Sequence, residues 1–442
     1  MGTGVVDTVM AARYNPLDLA AIAVGYNIWL PAYLTILGVL YAGAAIVAQD
    51  FGAGRKREIQ RLLPQSLWVA ILLGLLIAPL VWQNHIVVEL LELHDDTAQK
   101  AIDYTQMVAL GLPATGLFLA LRFHAQGLGI TRPFAVASVV GFLANIPLNY
   151  AFIYGAWGAP ELGAKGCGIA TAISMWLGLL LILGQVIRES AVREYLPAFR
   201  WHHPEWSVIR DILKLGIPLG LTFFLEVGVF SLIALLVARL GEVAIAAHQI
   251  AFNIWDVFYI PMLAIGSAMS TRMGHAIGAG VRHGVHRAFW VAVILAAVIS
   301  LATTLLLLLA PDWIIGLYTE DPDIRTLAER LIGLAALFII FDAGQIVGSF
   351  TLRAFKETRL PFVITVVAYW LLALPLGYWL GLVIADNPND GAAGFWWATI
   401  AGIAACTVLI GMRVIILLKR PLPHSVMPSP YSDEDDMPTD NR

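Results

Sequence analysis

The sequence predicts an all-α polytopic membrane protein of twelve transmembrane helices, the first one truncated, in two parallel-repeat lobes of six helices each. Three observations predict it. Of 442 residues, 59% are hydrophobic and 13% charged, against about 45–50% apolar and about 25% charged in an ordinary soluble chain. Apolar runs long enough to cross a bilayer, at roughly 20 residues each, recur along the whole length. The two halves of the chain also repeat each other.

The apolar runs lie near 18–50, 62–83, 101–129, 133–155, 164–187, 207–240, 243–278, 286–311, 324–353, 360–385 and 393–418, with a partial one at 1–14. Their connections alternate in charge. Arg55, Lys56, Arg57 and Arg61 follow the first full span, whereas Glu89, Glu92, Asp95 and Asp96 follow the next. Arg132, the stretch from Arg188 to Lys214, that from Arg272 to Arg287, that from Arg353 to Arg359, and Lys419 with Arg420 all fall on the first side, while Glu320, Asp321 and Asp323 fall on the second. Basic loops stay in the cytoplasm, so the C-terminus is expected inside. The expected organisation is an N-terminal lobe at 1–187, a cytoplasmic inter-lobe loop at 188–206 and a C-terminal lobe at 207–420. A disordered cytoplasmic tail at 421–442, rich in proline and acidic from Ser432 to Asp436, completes it. A net charge of −4, from 27 Lys and Arg against 31 Asp and Glu, implies no nucleic-acid partner. Cys167 and Cys406 both lie in apolar runs and make no disulfide framework.

The duplication can be read directly. Asn27-Ile28-Trp29 recurs as Asn253-Ile254-Trp255, and Gly52-Ala53-Gly54 as Gly278-Ala279-Gly280, both at an offset of 226. Further along the offset is 228: Pro133-Phe134 matches Pro361-Phe362, Pro147-Leu148 matches Pro375-Leu376, and Ala170-Thr171 matches Ala398-Thr399. Six spans separate equivalents, so both copies cross the bilayer in the same direction. At an offset of 226 Met1 corresponds to Val227, leaving residues 208–226 without a counterpart. Residues 1–14 as a helix reach only about 21 Å, short of the roughly 30 Å hydrocarbon core. The expectation is that roughly twenty residues of helix 1 precede Met1.

An acid in the hydrocarbon layer costs at least about 2.5–3.5 kcal/mol, so it faces the protein interior or a wet cavity and has a task there. Glu226 and Asp342 stand well inside spans seven and ten. Asp256 stands in span eight, where Gln249, Asn253 and Asp256 share one helical face at i, i+4 and i+7. Asp342, Gln345 and Ser349 make a similar stripe on span ten, and in the first half Asp7 is joined by Asn145 and Asn149, one turn apart around Pro147. A structural interhelical hydrogen bond is the competing reading for each, and helix glue for the asparagines. Trp29, Phe223, Phe224, Trp255 and Tyr259 read first as packing or interfacial belt, and His248 and His275 as structural. Buried carboxylates suit two tasks, holding a Na⁺ ion through hard oxygen ligands or carrying a proton. Either couples the charge state of the acid to how its helix packs. No Gly-rich phosphate loop and no His-Glu-x-x-His site occurs, and His202, His203, His283 and His286 are loop residues.

Val6 to Ala11 (VDTVMA), Asn145 to Tyr150 (NIPLNY), Gly158 to Gly163 (GAPELG) leading to Gly166-Cys167-Gly168, Ala246 to Gln249 (AAHQ) and Leu352 to Lys356 (LRAFK) resemble the multidrug and toxic compound extrusion (MATE) family. Phe224 to Glu226 and Phe341 to Ala343 resemble its NorM-type branch. The resemblance implies two six-helix lobes around a central cleft and the export of amphipathic organic cations, drugs or dyes, by alternating access. The exchange ion is Na⁺, favoured here, or H⁺, with no further cofactor, and the setting is a bacterial inner membrane. By position, Glu226 and Asp342 match the second-lobe carboxylates of cation binding, Asp7 the first-lobe acid, and Asn145 with Asn149 the polar pair of helix 5. Asp256 is expected in the coupling set, and Gln249, Asn253 and Gln345 in the polar lining. Two positions depart from the family pattern: Asn149, where proton-coupled relatives often place Asp, and Phe338, where Tyr can stand. The rivals are a lipid-linked oligosaccharide flippase, which needs a basic cavity where this interior is acidic, a membrane-embedded enzyme, which needs a reactive cluster at one membrane face, and a passive channel.

Overall fold

The computed structural model describes residues 2–89, 95–197 and 202–422. Glu92, the inter-lobe residues 198–201 and the tail from Pro423 therefore lie outside the described residues. Ten of the described helices are long and apolar enough to cross a membrane, and a bent pair makes an eleventh. With the shorter first helix the order is α1 Gly2–Tyr14, α2 Pro16–Gly52, α3 Lys56–Trp82, α4 Asp95–Ala109 with Leu112–Gly127, α5 Arg132–Tyr154 and α6 Ala164–Arg188. There follow α7 Trp206–Ala238, α8 Glu242–Gly278, α9 Arg282–Leu309, α10 Pro322–Ala354, α11 Arg359–Val383 and α12 Pro388–Leu418.

The breaks and caps follow local chemistry. Pro16 starts α2, and the side chain of Asn15 accepts from the Leu17 N–H at 2.8 Å. The run expected as one span at 101–129 is two helices bent by 43°, because Gly111 sits at the junction and Pro113 lies at the start of the second piece. Asp321 caps α10 by accepting from the Asp323 and Ile324 N–H groups, with Pro322 in the first turn. Asn387 does the same for α12 toward Asp390. The cap of α6 comes from elsewhere in the chain: Asp18 Oδ1 accepts from the Ala164 N–H at 2.7 Å while Oδ2 pairs with Lys100 Nζ at 2.6 Å. Gly163 before it has φ of 56°, and a Cβ there would meet Asp18 Oδ1 at 2.6 Å, so only glycine fits the turn. α11 departs from α-geometry: Val366–Ala373 and Trp379–Val383 are π-helical on either side of Pro375.

The outer faces are apolar. On α9, Val291, Ile294, Leu295, Val298 and Leu301 are all about half exposed, an i, i+3, i+4, i+7, i+10 stripe that suits lipid contact. Helices are the spanning elements here because hydrocarbon offers no partner to a free backbone group. The chain is a multi-pass membrane protein.

By contacts the chain divides into two compact units, Met1–Val47 with Arg55–Phe224, and Ala48–Gly54 with Leu225–Arg442. In the first, the residues before α7 are strapped to the start of α3: Trp68 donates to the His202 carbonyl at 3.0 Å, Gln65 to that of His203 at 3.1 Å, and Arg61 Nε to Glu205 at 2.6 Å. That arginine holds the Glu205 carboxyl below its ordinary range. In the second unit, a continuous core of Ile, Leu, Ala and aromatic side chains from α7, α8, α10, α11 and α12 surrounds α10. Arg413 closes it with a bidentate pair to Glu357, at 2.8 and 2.5 Å.

Candidate functional site

In the second unit α10 is the central helix, and it carries Asp342 and Gln345 inward, both nine-tenths buried or more. Trp255 of α8 donates its indole N–H to Asp342 Oδ2 at 3.0 Å. Gln345 reaches Glu226 of α7 with a long contact of 3.5 Å from its amide to Oε1. Glu226 itself is half-buried. Thus, among the described residues, the hydrogen bonds to the two carboxylates, which stand on different helices, come from neutral groups, an indole and an amide. Arg353, one helical stretch along α10, acts on Glu226 electrostatically, and Tyr259 and Tyr369 lie within the field of both acids. Just before Glu226, the Leu225 carbonyl accepts from the Trp370 indole of α11 at 3.2 Å.

The polar stripe of α8 faces another way. Trp255 is buried, whereas Gln249 and Asn253 are exposed and Asp256 is intermediate. Among the described residues, the hydrogen bonds of Glu226 and Asp342 go to Gln345 and Trp255, not to Asp256, Asn253 or Gln249. Phe338, one turn before Asp342, is buried and packs edge-on against the Trp255 ring at 5.7 Å.

In the first unit Asp7 is 3% exposed, and Asn145 and Asn149 are fully buried. Asn149 Nδ2 donates to Asp7 Oδ1 at 2.6 Å and to Asn145 Oδ1 at 3.0 Å, and the Thr171 hydroxyl donates to Asp7 Oδ2 at 3.2 Å. Among the described residues, Asn145 Nδ2 and Asn149 Oδ1 have no hydrogen-bond partner, an unfavourable state for buried amide atoms. The cluster gathers carboxylate, amide and hydroxyl oxygens from Asp7, Asn145, Asn149 and Thr171, the hard ligands a small cation takes. Beside it lies a cavity of ≈ 170 Å³ lined by Gly4, Asp7, Thr8, Tyr26, Asn27 and Tyr104 among others.

Among the described residues no group of three or more His, Cys, Asp or Glu is placed to hold a metal ion. What both units offer is carboxylate, amide and hydroxyl oxygen. The sequence marked Thr171 only through its repeat match to Thr399, without a role, and Trp255 was read as packing. Its match to Trp29 in the repeat, where the indole instead faces the Tyr104 hydroxyl at 3.4 Å, marked the position without its role.

Comparison with known proteins extends these observations. The MatE family model matches residues 1–151 and 218–379. The chain is 38% identical over 419 residues to the multidrug resistance protein MdtK of Yersinia pestis (strain Pestoides F), covering 95% of this chain and 92% of that protein. It is 36% identical over 416 residues to the probable multidrug resistance protein NorM of Idiomarina loihiensis, covering 94% and 90%. Its fold is similar to the crystal structure of the eukaryotic MATE transporter AtDTX14, with a TM-score of 0.84 at 19% identity over 94% of this chain and 91% of that one. With the family model matched over most of its length and relatives above a third identical nearly end to end, the chain belongs to the MatE family, a family of transporters rather than enzymes.

Proposed function

We propose that this chain exports small amphipathic organic cations, drugs or dyes, from a bacterial cytoplasm across the inner membrane in exchange for a cation, Na⁺ rather than H⁺, by alternating access. The multidrug resistance names of its bacterial relatives support the substrate class. The observation that carries the coupling is the pair Glu226 and Asp342, negative groups among apolar helices whose hydrogen-bond partners are a neutral amide and a neutral indole. An ion pair would lock such acids. Neutral hydrogen-bond partners leave charge for a mobile cation, Arg353 offsetting part of that on Glu226, and filling or emptying the site changes how α7, α8 and α10 pack.

Glu226 and Asp342 hold the ion, with the Gln345 amide oxygen as a further ligand. Asp7, with Asn145, Asn149 and Thr171, forms a second oxygen-rich site that holds a cation or meets the positive charge of the drug. Asp256, Gln249 and Asn253 line the drug's path instead of completing the ion shell, because they stand on the more exposed face of α8. Asn149 in place of a second carboxylate beside Asp7 favours Na⁺, since an amide carries no proton load. The two lobes are 1–187 and 207–420, with loop 188–206, the tail 421–442 and the C-terminus in the cytoplasm.

Efflux of ethidium from vesicles, with Na⁺ and pH gradients imposed independently, tests this reading. A Na⁺ gradient alone should drive efflux, and a pH gradient alone should not. Efflux driven solely by the pH gradient reassigns the ion, and efflux indifferent to both refutes the exchange.

A further inference from the structure

The chamber of the second unit is the repeat counterpart of the acidic cavity in the first. At an offset of 226, Gly4, Asp7, Ile22 and Tyr26 of the first cavity correspond to Phe230, Ile233, His248 and Phe252, and all four of these line the second. The exchange is systematic. Gly to Phe fills space, Asp to Ile removes the charge, Tyr to Phe removes a hydroxyl, and Ile to His introduces a ring nitrogen. The result is a shrunken volume of ≈ 20 Å³ in place of ≈ 170 Å³, room for one water molecule.

Two polar atoms of that chamber have no partner among the described residues. His248 and Trp396 are each 6% exposed, both line it, and among the described residues His248 Nδ1 and Trp396 Nε1 make no hydrogen bond. Their ring centroids lie 5.9 Å apart, and both rings border the same small space. A third group is at hand. Thr399 also lines the chamber and matches Thr171 of the first unit at an offset of 228. Thr171 spends its proton on Asp7, but Ile233 stands where the acid would be, so Thr399 turns to its own helix and donates to the Phe395 carbonyl at 2.7 Å. Its oxygen is left able to accept. The aromatic walls suggest an organic cation as occupant, yet the indole N–H is a donor only and repels one, and the volume is too small. The occupant must accept from Trp396, donate to His248 and Thr399, and be no larger than water.

We propose that this chamber is a one-water binding site joining His248 Nδ1, Trp396 Nε1 and Thr399 Oγ1, and that the water sets how Trp255 meets Asp342. The second clause follows from the helix that carries both groups. His248 and Trp255 are seven residues apart on α8, two turns on one face, and Trp255 forms a wall of the chamber while its N–H holds Asp342. Pinning His248 to α12 through the water fixes the rotation of α8 and with it the indole. Trp396 and His248 are thus positioning residues for the carboxylate pair, and this part rests on the cation-coupled reading above.

The test is a structure of the full chain in lipid nanodiscs at about 2 Å, for the wild type and Trp396→Phe, with the Na⁺ dependence of dye efflux for the same two proteins and His248→Gln. Trp396→Phe keeps an aromatic ring and removes the donor together with the five-membered part of the indole. We expect ordered density within hydrogen-bond reach of all three atoms in the wild type and none in Trp396→Phe. The half-saturating Na⁺ concentration should move severalfold in Trp396→Phe at unchanged maximal efflux, and stay near wild type in His248→Gln, which keeps a hydrogen-bonding group. An empty chamber in the wild type, or protein groups paired to both nitrogens, overturns the water site. Lost density with unchanged Na⁺ dependence overturns the positioning role. Should efflux need no cation at all, the density still decides the first clause by itself.

Discussion

Asp7 and Asp342 sit in apolar helices for the same general reason and are held in different ways. Asp342 has a single indole donor at 3.0 Å, whereas Asp7 is met by an amide at 2.6 Å and a hydroxyl at 3.2 Å. The closest of these contacts should matter most to folding. Asn149→Leu keeps the size and leaves a fully buried carboxylate without its nearest donor, which costs about 1–3 kcal/mol or more. A fall in the thermal unfolding midpoint in detergent, larger than that of Asn145→Leu, checks it. Equal midpoints for wild type and Asn149→Leu contradict the geometry. Residues of this kind were legible because a charged or amide side chain is rare inside a long apolar run, which is how Glu226, Asp342, Asp7, Asn145 and Asn149 stood out. Thr171 and Trp255 were not, since threonine and tryptophan occur in any membrane helix and only the packing shows where their hydrogens point.

Among the helices, α11 is the exception. Its counterpart α5 carries Pro147 where α11 has Pro375, yet α5 is α-helical throughout whereas α11 widens to π geometry on both sides of the proline. Such widening is frequent at functional sites, and this one adjoins the residue before Glu226 through the Trp370 indole and the Leu225 carbonyl, 3.2 Å apart. Trp370→Phe should cost about 0.5–1.5 kcal/mol for one neutral hydrogen bond, and Trp370→Ala about 3–5 kcal/mol for the ring, both read as unfolding midpoints. If Trp370→Phe loses no stability, the indole N–H is not what ties α11 to α7. No sequence pattern announced the π segments, because hydrophobicity and length are the same for either helix. The bend in α4 had a readable cause in Gly111 and Pro113, but a continuous apolar run across 101–129 outweighed it.

For the whole molecule, the duplication and the charge alternation were the strongest signals in the sequence, while the structure and the relatives bear on the apolar helices and the family. Repeat offsets of 226 and 228 pair helices of the first unit with helices of the second, and at the same time expose where function has diverged: Asp7 against Ile233, Gly4 against Phe230. The topology they imply can be checked by labelling. Both native cysteines are buried, so single added thiols report cleanly. Arg57→Cys should resist a membrane-impermeant maleimide in intact cells and react after lysis, whereas Glu320→Cys should react in intact cells. The reverse pattern would invert the orientation.

The central claim is that buried carboxylates catch and release a small cation. Its most direct measurement is Na⁺ binding to the purified full chain by isothermal titration, for the wild type, Glu226→Gln and Asp342→Asn, each shown folded by its unfolding midpoint. Saturable binding in the wild type, weakened at least about tenfold by either change, a loss of about 1.4 kcal/mol, is the predicted result. Binding of equal strength in all three folded proteins would contradict it.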